Sequence, residues 1–482
     1  MQTRRDLYQA HRLMMQRLGT ALLQGEPDVP ESPMRRHNVA MFCGVLLAVL
    51  VTAAFGIWGL IRPGGATALT EPGTLIVEEE TGATYVYSER EARLLPVANY
   101  VSARLLLDAP QVTVRTVSSA SLQGFSRGAL VGIPGAPDSL PRPERLVHGP
   151  WSACVAEAVE PDGTRRPYST LVGGMDVGGR PFGPEAMIAD DGQQSWVVLA
   201  DRRMRVPDSV VRALAEGRDR LVPASWLNAL PIGPDFRAPK IPGLGRATRG
   251  PDGRASAAGR VYKVPGVTGG GDRWYVLLRD GLATLTQTQA TLLLEDPATK
   301  AAYGRAPVEP VEVDAAHANA APRSATSLAA EGLPATMPVI GVPDRSAPLC
   351  AVYSDTRKGS TRARLTIGGR LRMPAPAAAG SDQDHFDQVL LPPGGAVLAG
   401  LLPGDGQLDA VRDYSLVTDQ GRRFPLVSAD LVAKLGYGDT DVAPVPAHLL
   451  HLIPEGPVLD PAAARTPVPI TATDVSTGTV RP

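Results

Sequence analysis

An excess of either charge is missing from this chain: 48 Lys and Arg stand against 49 Asp and Glu, a formal net charge of -1 that gives no electrostatic reason to expect a nucleic-acid partner. Aromatics are scarce too, at 5%. With 50 Gly and 46 Pro, that composition excludes a helical bundle and describes short elements joined by many turns. Catalytic signatures are equally thin. A phosphate-binding loop requires G-x-x-x-x-G-K-[ST], and the nearest glycine cluster, GVTGGGDRW from Gly266, lacks the Lys-Ser/Thr pair and precedes a strand, so it reads as a flexible hairpin approach. No H-E-x-x-H pair is present, and neither zinc-protease nor serine-hydrolase chemistry is adopted. His448 and His451, three apart on an expected helix, are two ligands without a third. In SDQDHFD, the groups Asp382, Asp384, His385 and Asp387 lack the Gly and terminal Glu of a calcium loop and read as an exposed acidic loop. No cofactor and no metal site is expected.

One long apolar run is present. VAMFCGVLLAVLVTAAFGIWGLI, 39–61, carries no charge and exceeds the roughly 20 residues that cross a bilayer as a helix. Trp58 lies near its outer end, where an amphipathic ring favours the interface, and Arg62 with Pro63 stops it. Arg4, Arg5, Arg12, Arg17, Arg35 and Arg36 precede the run, so the positive-inside bias keeps the N-terminus cytoplasmic and everything after Arg62 outside. A cleaved signal peptide is the alternative, but its apolar region is shorter and lies closer to the N-terminus. Ahead of the span, Leu7, His11, Met14, Met15, Leu18 and Leu22 recur at helical spacing with Arg12 elsewhere on the wheel, which predicts an amphipathic helix ended by Gly25. Pro27, Pro30 and Pro33 then make a stiff link. A protein partner or the lipid surface could cover that apolar stripe. Cys43 is inside the span, whereas Cys154 and Cys350 fall in the outer region, where a disulfide persists. Those two thiols most simply pair with each other. Two unrelated buried thiols remain the alternative, because sequence cannot supply the Cα separation.

The outer region repeats itself. VPASWLNALPIGPDF, 222–236, returns as VPAHLLHLIPEGPVL, 445–459, with the same offsets. A strand, turn, strand, helix pattern also recurs four times. YSLVTDQGRRFPLVSADLVAKLGY from Tyr414 shows it best, with Asp419-Gln420-Gly421 as the turn, Ser428 as the cap and Gly436 as the stop. Further copies start near Thr84, Ser195 and Trp274; the last has Asp280-Gly281 as its turn and a Thr286/Gln289 capping box. Each copy opens on an aromatic, Tyr85, Trp196, Trp274 or Tyr414. Two strands and a helix bury too little to stand alone, so the copies must lean on further strands or on something shared. The expected architecture is α+β and pseudo-two-fold: an elongated extracytoplasmic body of four repeats around a central β-rich domain. Its expected divisions are 1–38 cytoplasmic helix and linker, 39–61 span, 62–110 repeat one, 111–194 the first central segment, 195–240 repeat two, 241–302 inter-half loop and repeat three, 303–411 the second central segment, 412–460 repeat four, and 461–482 a disordered Pro/Thr tail. The Ala-rich EVDAAHANAAPRSATSLAAEG is expected to be an insertion or loop.

QAHRLMMQRLGTALLQGEPDVPESPMRR ahead of a single span, VGIPGAPDSLP from Val131, WSACV from Trp151, WLNALPIGPDF, and LVTDQGRRFPLVSADLVAKLGY resemble the EccB component of the ESX, or type VII, secretion system of actinobacteria. The resemblance covers nearly the whole chain. It implies a membrane complex with the EccC ATPase, EccD and EccE, in which EccB supplies one span and a large outer domain of four repeats around a disulfide-linked centre. It implies that Cys154 and Cys350 form that disulfide and that the 9–36 stretch docks on neighbouring subunits. Some family members are described as ATPases, and the repeats are said to resemble a wall-binding module, so ATP hydrolysis and cell-wall contact stand as alternative functions.

Overall fold

The computed structural model describes residues 4–24, 33–61, 68–107, 109, 111–159, 162–215, 219–266, 270–328, 331–376 and 383–469. Two helices come first. Arg4–Gln24 follows the apolar spacing, and its Leu7, Met14, Met15, Leu18 and Leu22 are more than half exposed, uncovered by any of the described residues. Pro33–Ile61 is the second helix, and its stretch His37–Trp58 is long and apolar enough to cross a membrane. Pro33, expected in the extended link, instead opens this helix, where a missing N–H costs nothing. Gly25, Pro27, Pro30 and Arg62 lie outside the described residues.

Four sheets of four strands follow, all with the order third, second, first, fourth. The first repeat is built from Thr74–Glu78, Thr84–Ser88, Arg93–Pro96, helix Tyr100–Leu107 and Thr113–Val117. The second uses Ala186–Asp190, Ser195–Leu199, Arg202–Arg205, helix Asp208–Ala215 and Arg220–Leu221. Val261–Val264, Arg273–Leu278, Gly281–Leu285, helix Gln287–Glu295 and Val311–Glu312 make the third. The fourth comprises Ala396–Leu402, Tyr414–Thr418, Arg423–Pro425, helix Leu431–Lys434 and Val442–Pro446. In each, the helix returns the chain so that the fourth strand lies parallel to the first. Each strand-turn-strand-helix copy is therefore the middle of a larger unit. Thr113–Val117 and Ala186–Asp190, assigned by the 111–194 boundary to the centre, belong to repeats one and two; Val311–Glu312 and Ala396–Leu402, inside 303–411, belong to repeats three and four. The physical reason is edge satisfaction. A first strand flanked on both sides buries what a bare hairpin leaves wet.

Local chemistry accounts for most boundaries. Thr286 and Gln289 form the expected capping box. Gly436 closes the fourth helix at φ +91°. Ser428 does not cap it; its carbonyl accepts from Leu431 N in a turn, and the helix begins one turn later. Leu278 pairs with Gly281, so the third-repeat turn is Arg279-Asp280 and Gly281 already belongs to the strand, at φ +142°. The inter-half loop holds a small ribbon, Ala247–Arg249 against Ala255–Ala257.

The central sheet has six strands, in the order Gln388–Leu390, Arg165–Gly173, Trp151–Val159, Leu349–Tyr353, Arg364–Ile367, Arg180–Pro181. Each half contributes three, and the third of each crosses over: Gln388–Leu390 pairs with Arg165–Gly173 of the first half, and Arg180–Pro181 pairs with Arg364–Ile367 of the second. The halves are interlocked. The repeats pair across halves as well. In the one–four seam, Leu105 packs with Phe424, Leu431 and Leu435, and Arg104 Nη2 donates to Lys434 O at 2.6 Å. In the two–three seam, Leu292 packs with Val206, Val210 and Phe236.

Two segments expected to be loose are ordered. Asp314 caps helix Ala315–Ala320 of the Ala-rich stretch, and Pro322 O accepts from Leu282 N at 2.7 Å, so this stretch seals the third repeat's edge. Beyond the 460 boundary, Asp460 accepts from Ala462 N and Pro461 opens helix Pro461–Ala464. Small Ala464 is fully buried in the one–four seam, and Val468 N donates to Leu130 O at 2.8 Å. Capping and a close fit order the segment that composition alone marks as a tail. Residues 470–482 lie outside the described residues.

Candidate functional site

With no catalytic signature to follow, the site is the set of features that anchor and join the body. Cys154 and Cys350 sit directly opposite each other on antiparallel neighbours, Cα to Cα 4.0 Å, and are bridged. Direct cross-strand opposition brings the two sulfurs within bonding reach. Because equivalent residues of the two halves face one another, the pseudo-two-fold axis runs through this bridge. The bridge lies on one face of the central sheet, with Val172 and Val177 around it. Strand alternation then turns Ala153, Val155, Leu349, Ala351 and Tyr353 to the opposite face, into a core shared with repeats two and four.

The doubled phrase supplies that core's clamps. In its first copy, helix Ala224–Asn228 lays the fully buried Trp226 on the sheet, with Nε1 donating to Ala153 O at 3.0 Å. In the second, helix Ala447–Leu450 buries Leu449 and Leu450 in the same core. Tyr353 OH donates to Ala229 O, so its oxygen accepts from His448 Nε2 at 3.1 Å. Arg203 lies over the Trp196 ring at 4.8 Å and donates to Asn228 Oδ1 at 2.6 Å. Burial lowers the His448 pKa to about 4, with the Arg203 charge adding to it, so the imidazole is neutral near pH 7. Burial raises the Tyr353 pKa, keeping its hydroxyl a donor.

Other sequence candidates scatter. His451 is exposed, whereas His448 is half-buried. Asp387 is not part of a free acidic loop: its carboxylate accepts from Ser169 N at 2.8 Å and Ser169 Oγ at 3.0 Å, while Phe386 is buried. Asp382 and positions 267–269 of the glycine cluster lie outside the described residues. Gly124-Phe125-Ser126-Arg127-Gly128 does have G-x-S-x-G spacing, but the fold denies it the matching chemistry. A nucleophile elbow needs a strand-to-helix turn. Ser126 instead follows helix Ser119–Leu122, and its carbonyl accepts from Leu94 N at 2.9 Å. Among the described residues no group of three His, Cys, Asp or Glu is placed to hold a metal. His11 and Arg12 are exposed on the N-terminal helix, Arg35 and Arg36 fall in the first turn of the second, and Trp58 is exposed near its end. The clamps Trp226, Tyr353, Arg203 and His448 are not evident from sequence motifs; the doubled phrase was the signal that could have found two of them.

The family described as "Type VII secretion system ESX-1, transport TM domain B", EccB, matches residues 1–469. The chain belongs to this family. Among relatives, "ESX-3 secretion system ATPase EccB3" of Mycobacterium tuberculosis is 28% identical over 301 residues, 58% of this chain and 54% of that protein, so the match spans about half the relative's length. "ESX-5 secretion system ATPase EccB5" of the same organism is 26% identical over 480 residues, covering 94% and 91%. The fold is that of a chain in an intact ESX-5 inner membrane complex, at TM-score 0.61 and 24% identity over 100% of this chain and 98% of that one. It is also that of a chain in the periplasmic assembly of ESX-5, at TM-score 0.57 and 25% identity over 83% and 97%. It is an EccB-family chain with one candidate membrane span among its described residues.

Proposed function

We propose that this EccB-family chain anchors a rigid extracytoplasmic scaffold to the secretion channel. The N-terminal helix lies in the cytoplasm, where its apolar stripe of Leu7, Met14, Met15, Leu18 and Leu22 docks on the EccC, EccD and EccE class of membrane neighbours. Six arginines ahead of the span, Arg35 and Arg36 among them, support that orientation. The observation that carries the scaffold reading is the interlocked body: exchanged central strands, paired seams and the bridge resist relative motion of its segments. Energy for transport then comes from the EccC ATPase.

Deleting residues 1–25 tests the docking role. The expected result is loss of co-purification with membrane partners while the outer body keeps its native melting transition. Retained co-purification would refute it. A second reading rests on the word "ATPase" in the relatives' names. Purified full chain that hydrolyses ATP, with activity surviving the removal of partner subunits, would favour that reading over the scaffold. Binding of the purified chain to cell-wall preparations would favour the wall-contact alternative.

A further inference from the structure

Each repeat sheet has two edges, and the third-strand edge is covered in all four: the bridges Leu94 to Arg127, Arg203 to Ile232, Leu282 to Arg323 and Arg423 to Glu455 show the covering segment each time. Fourth-strand edges differ. In repeat two the strand is two residues long, and Arg220 reaches from it to Ala347 O at 2.9 Å, binding the next segment over it. Repeat four carries Pro444 and Pro446 on that edge and packs it against Thr356–Lys358. Repeat three has only Val311–Glu312, straight after Pro310. Repeat one is the exception. Thr113–Val117 is five residues long, proline-free and outermost in its sheet, and no bridge joins its outer side to any described residue.

Two hydrogen bonds fix which groups face out. Thr113 N donates to Gly73 O and Val117 O accepts from Glu79 N, both at 2.9 Å. Alternation along the strand then directs the Val114 and Thr116 N–H and C=O groups outward, away from the ladder. Side chains alternate as well. Val114, 54% exposed, shares a face with Leu75, against which Leu106, Leu107 and Val112 pack, so an apolar shoulder flanks the open edge. Arg115 points to the other face, half-buried, with its Nε inaccessible to solvent and without a hydrogen-bond partner.

We propose that Thr113–Val117 receives an extended segment of another polypeptide as an added strand, one whose residues alternate between apolar and acidic. Apolar side chains rest on the Val114 shoulder, and a carboxylate answers Arg115 across the pair. A second copy of this edge is the poorer occupant, because self-pairing sets two Arg115 guanidiniums on one face near each other. An edge this long and bare is otherwise a liability that the other three repeats each remove.

Hydrogen exchange on the full chain in detergent tests this, with the synthetic peptide acetyl-Thr-Val-Glu-Val-Glu-Val-Thr-amide as the probe. Exchange at the Val114 and Thr116 amides should slow by about ten-fold on saturation, as expected of amides that gain a hydrogen bond, while Thr113 and Val117 change little. Thr116→Pro removes an outward N–H and no ladder bond, so it should abolish the slowing with the melting transition retained. Arg115→Glu should abolish it for this peptide and restore it for one with Lys in place of Glu. Absence of slowing in the wild type, or equal slowing in Thr116→Pro, would overturn the proposal. So would protection that rises with protein concentration without peptide, which identifies self-pairing.

Discussion

Removing the Cys154–Cys350 bridge should weaken the body without letting its halves come apart. The bridge closes a loop with a sequence separation of 196, and in the chain-entropy account a loop that long stabilises by about 5 kcal/mol through the unfolded state. Such a loss is large beside the roughly 5–15 kcal/mol that holds a typical domain. Truncating both buried sulfurs in a Cys154→Ala/Cys350→Ala variant adds a cavity cost of about 1–2 kcal/mol. The native topology nevertheless survives, because the exchanged strands and both seams still bind one half to the other. Guanidinium unfolding of the full chain, followed by the fluorescence of buried Trp151 and Trp226, measures the loss. The slope of the transition should steepen, since an uncrosslinked unfolded chain exposes more surface. A shift below about 1 kcal/mol would refute the loop-entropy reasoning. Limited proteolysis of the folded variant into two separable native halves would refute the interlocked topology.

Three further outcomes are expected. His448 has a folded pKa depressed from 6.5 to about 4, so below 6.5 the unfolded chain takes up a proton that the native one refuses. Stability should therefore decline as pH falls from 6.5 toward 4, by about 2–3 kcal/mol after discounting for partial exposure, and His448→Gln should flatten that slope relative to wild type. Trp226→Ala empties a fully buried site and leaves Ala153 O without its donor; a loss of about 3–5 kcal/mol in denaturant unfolding is expected, and one under 1 would show that the phrase helix is not a clamp. Gly281→Ala puts a Cβ into the Pro322 carbonyl at φ +142° and should cost about 2 kcal/mol or more, seen as early hydrogen exchange confined to repeat three.

The sequence made the span, the four copies and the closing phrase legible because each has a local cause: an apolar run, a capping Thr286, a Gly at 281, 421 or 436 where φ is positive. What it hid is non-local. Thr113–Val117 and Ala186–Asp190 read as central because nothing in their own residues says which strand they pair with. The crossing of Arg180–Pro181 into the other half rests on a two-residue strand, too short to carry any period. Composition misled at the C-terminus, where Pro and Thr mark disorder by frequency, yet the segment supplies in Ala464 the small side chain that the seam requires. His448 and Tyr353 lie 95 positions apart, and only the folded sheet makes them partners.

The one–four seam has a consequence in time. Repeat one comes first of the four in chain order and is the first to be synthesised, yet Phe424, Leu431, Leu459 and Ala464 complete its core. It must wait, half-covered, until the stretch up to Ala464 has been made. A completed repeat one is thus withheld from products that stop short of Ala464.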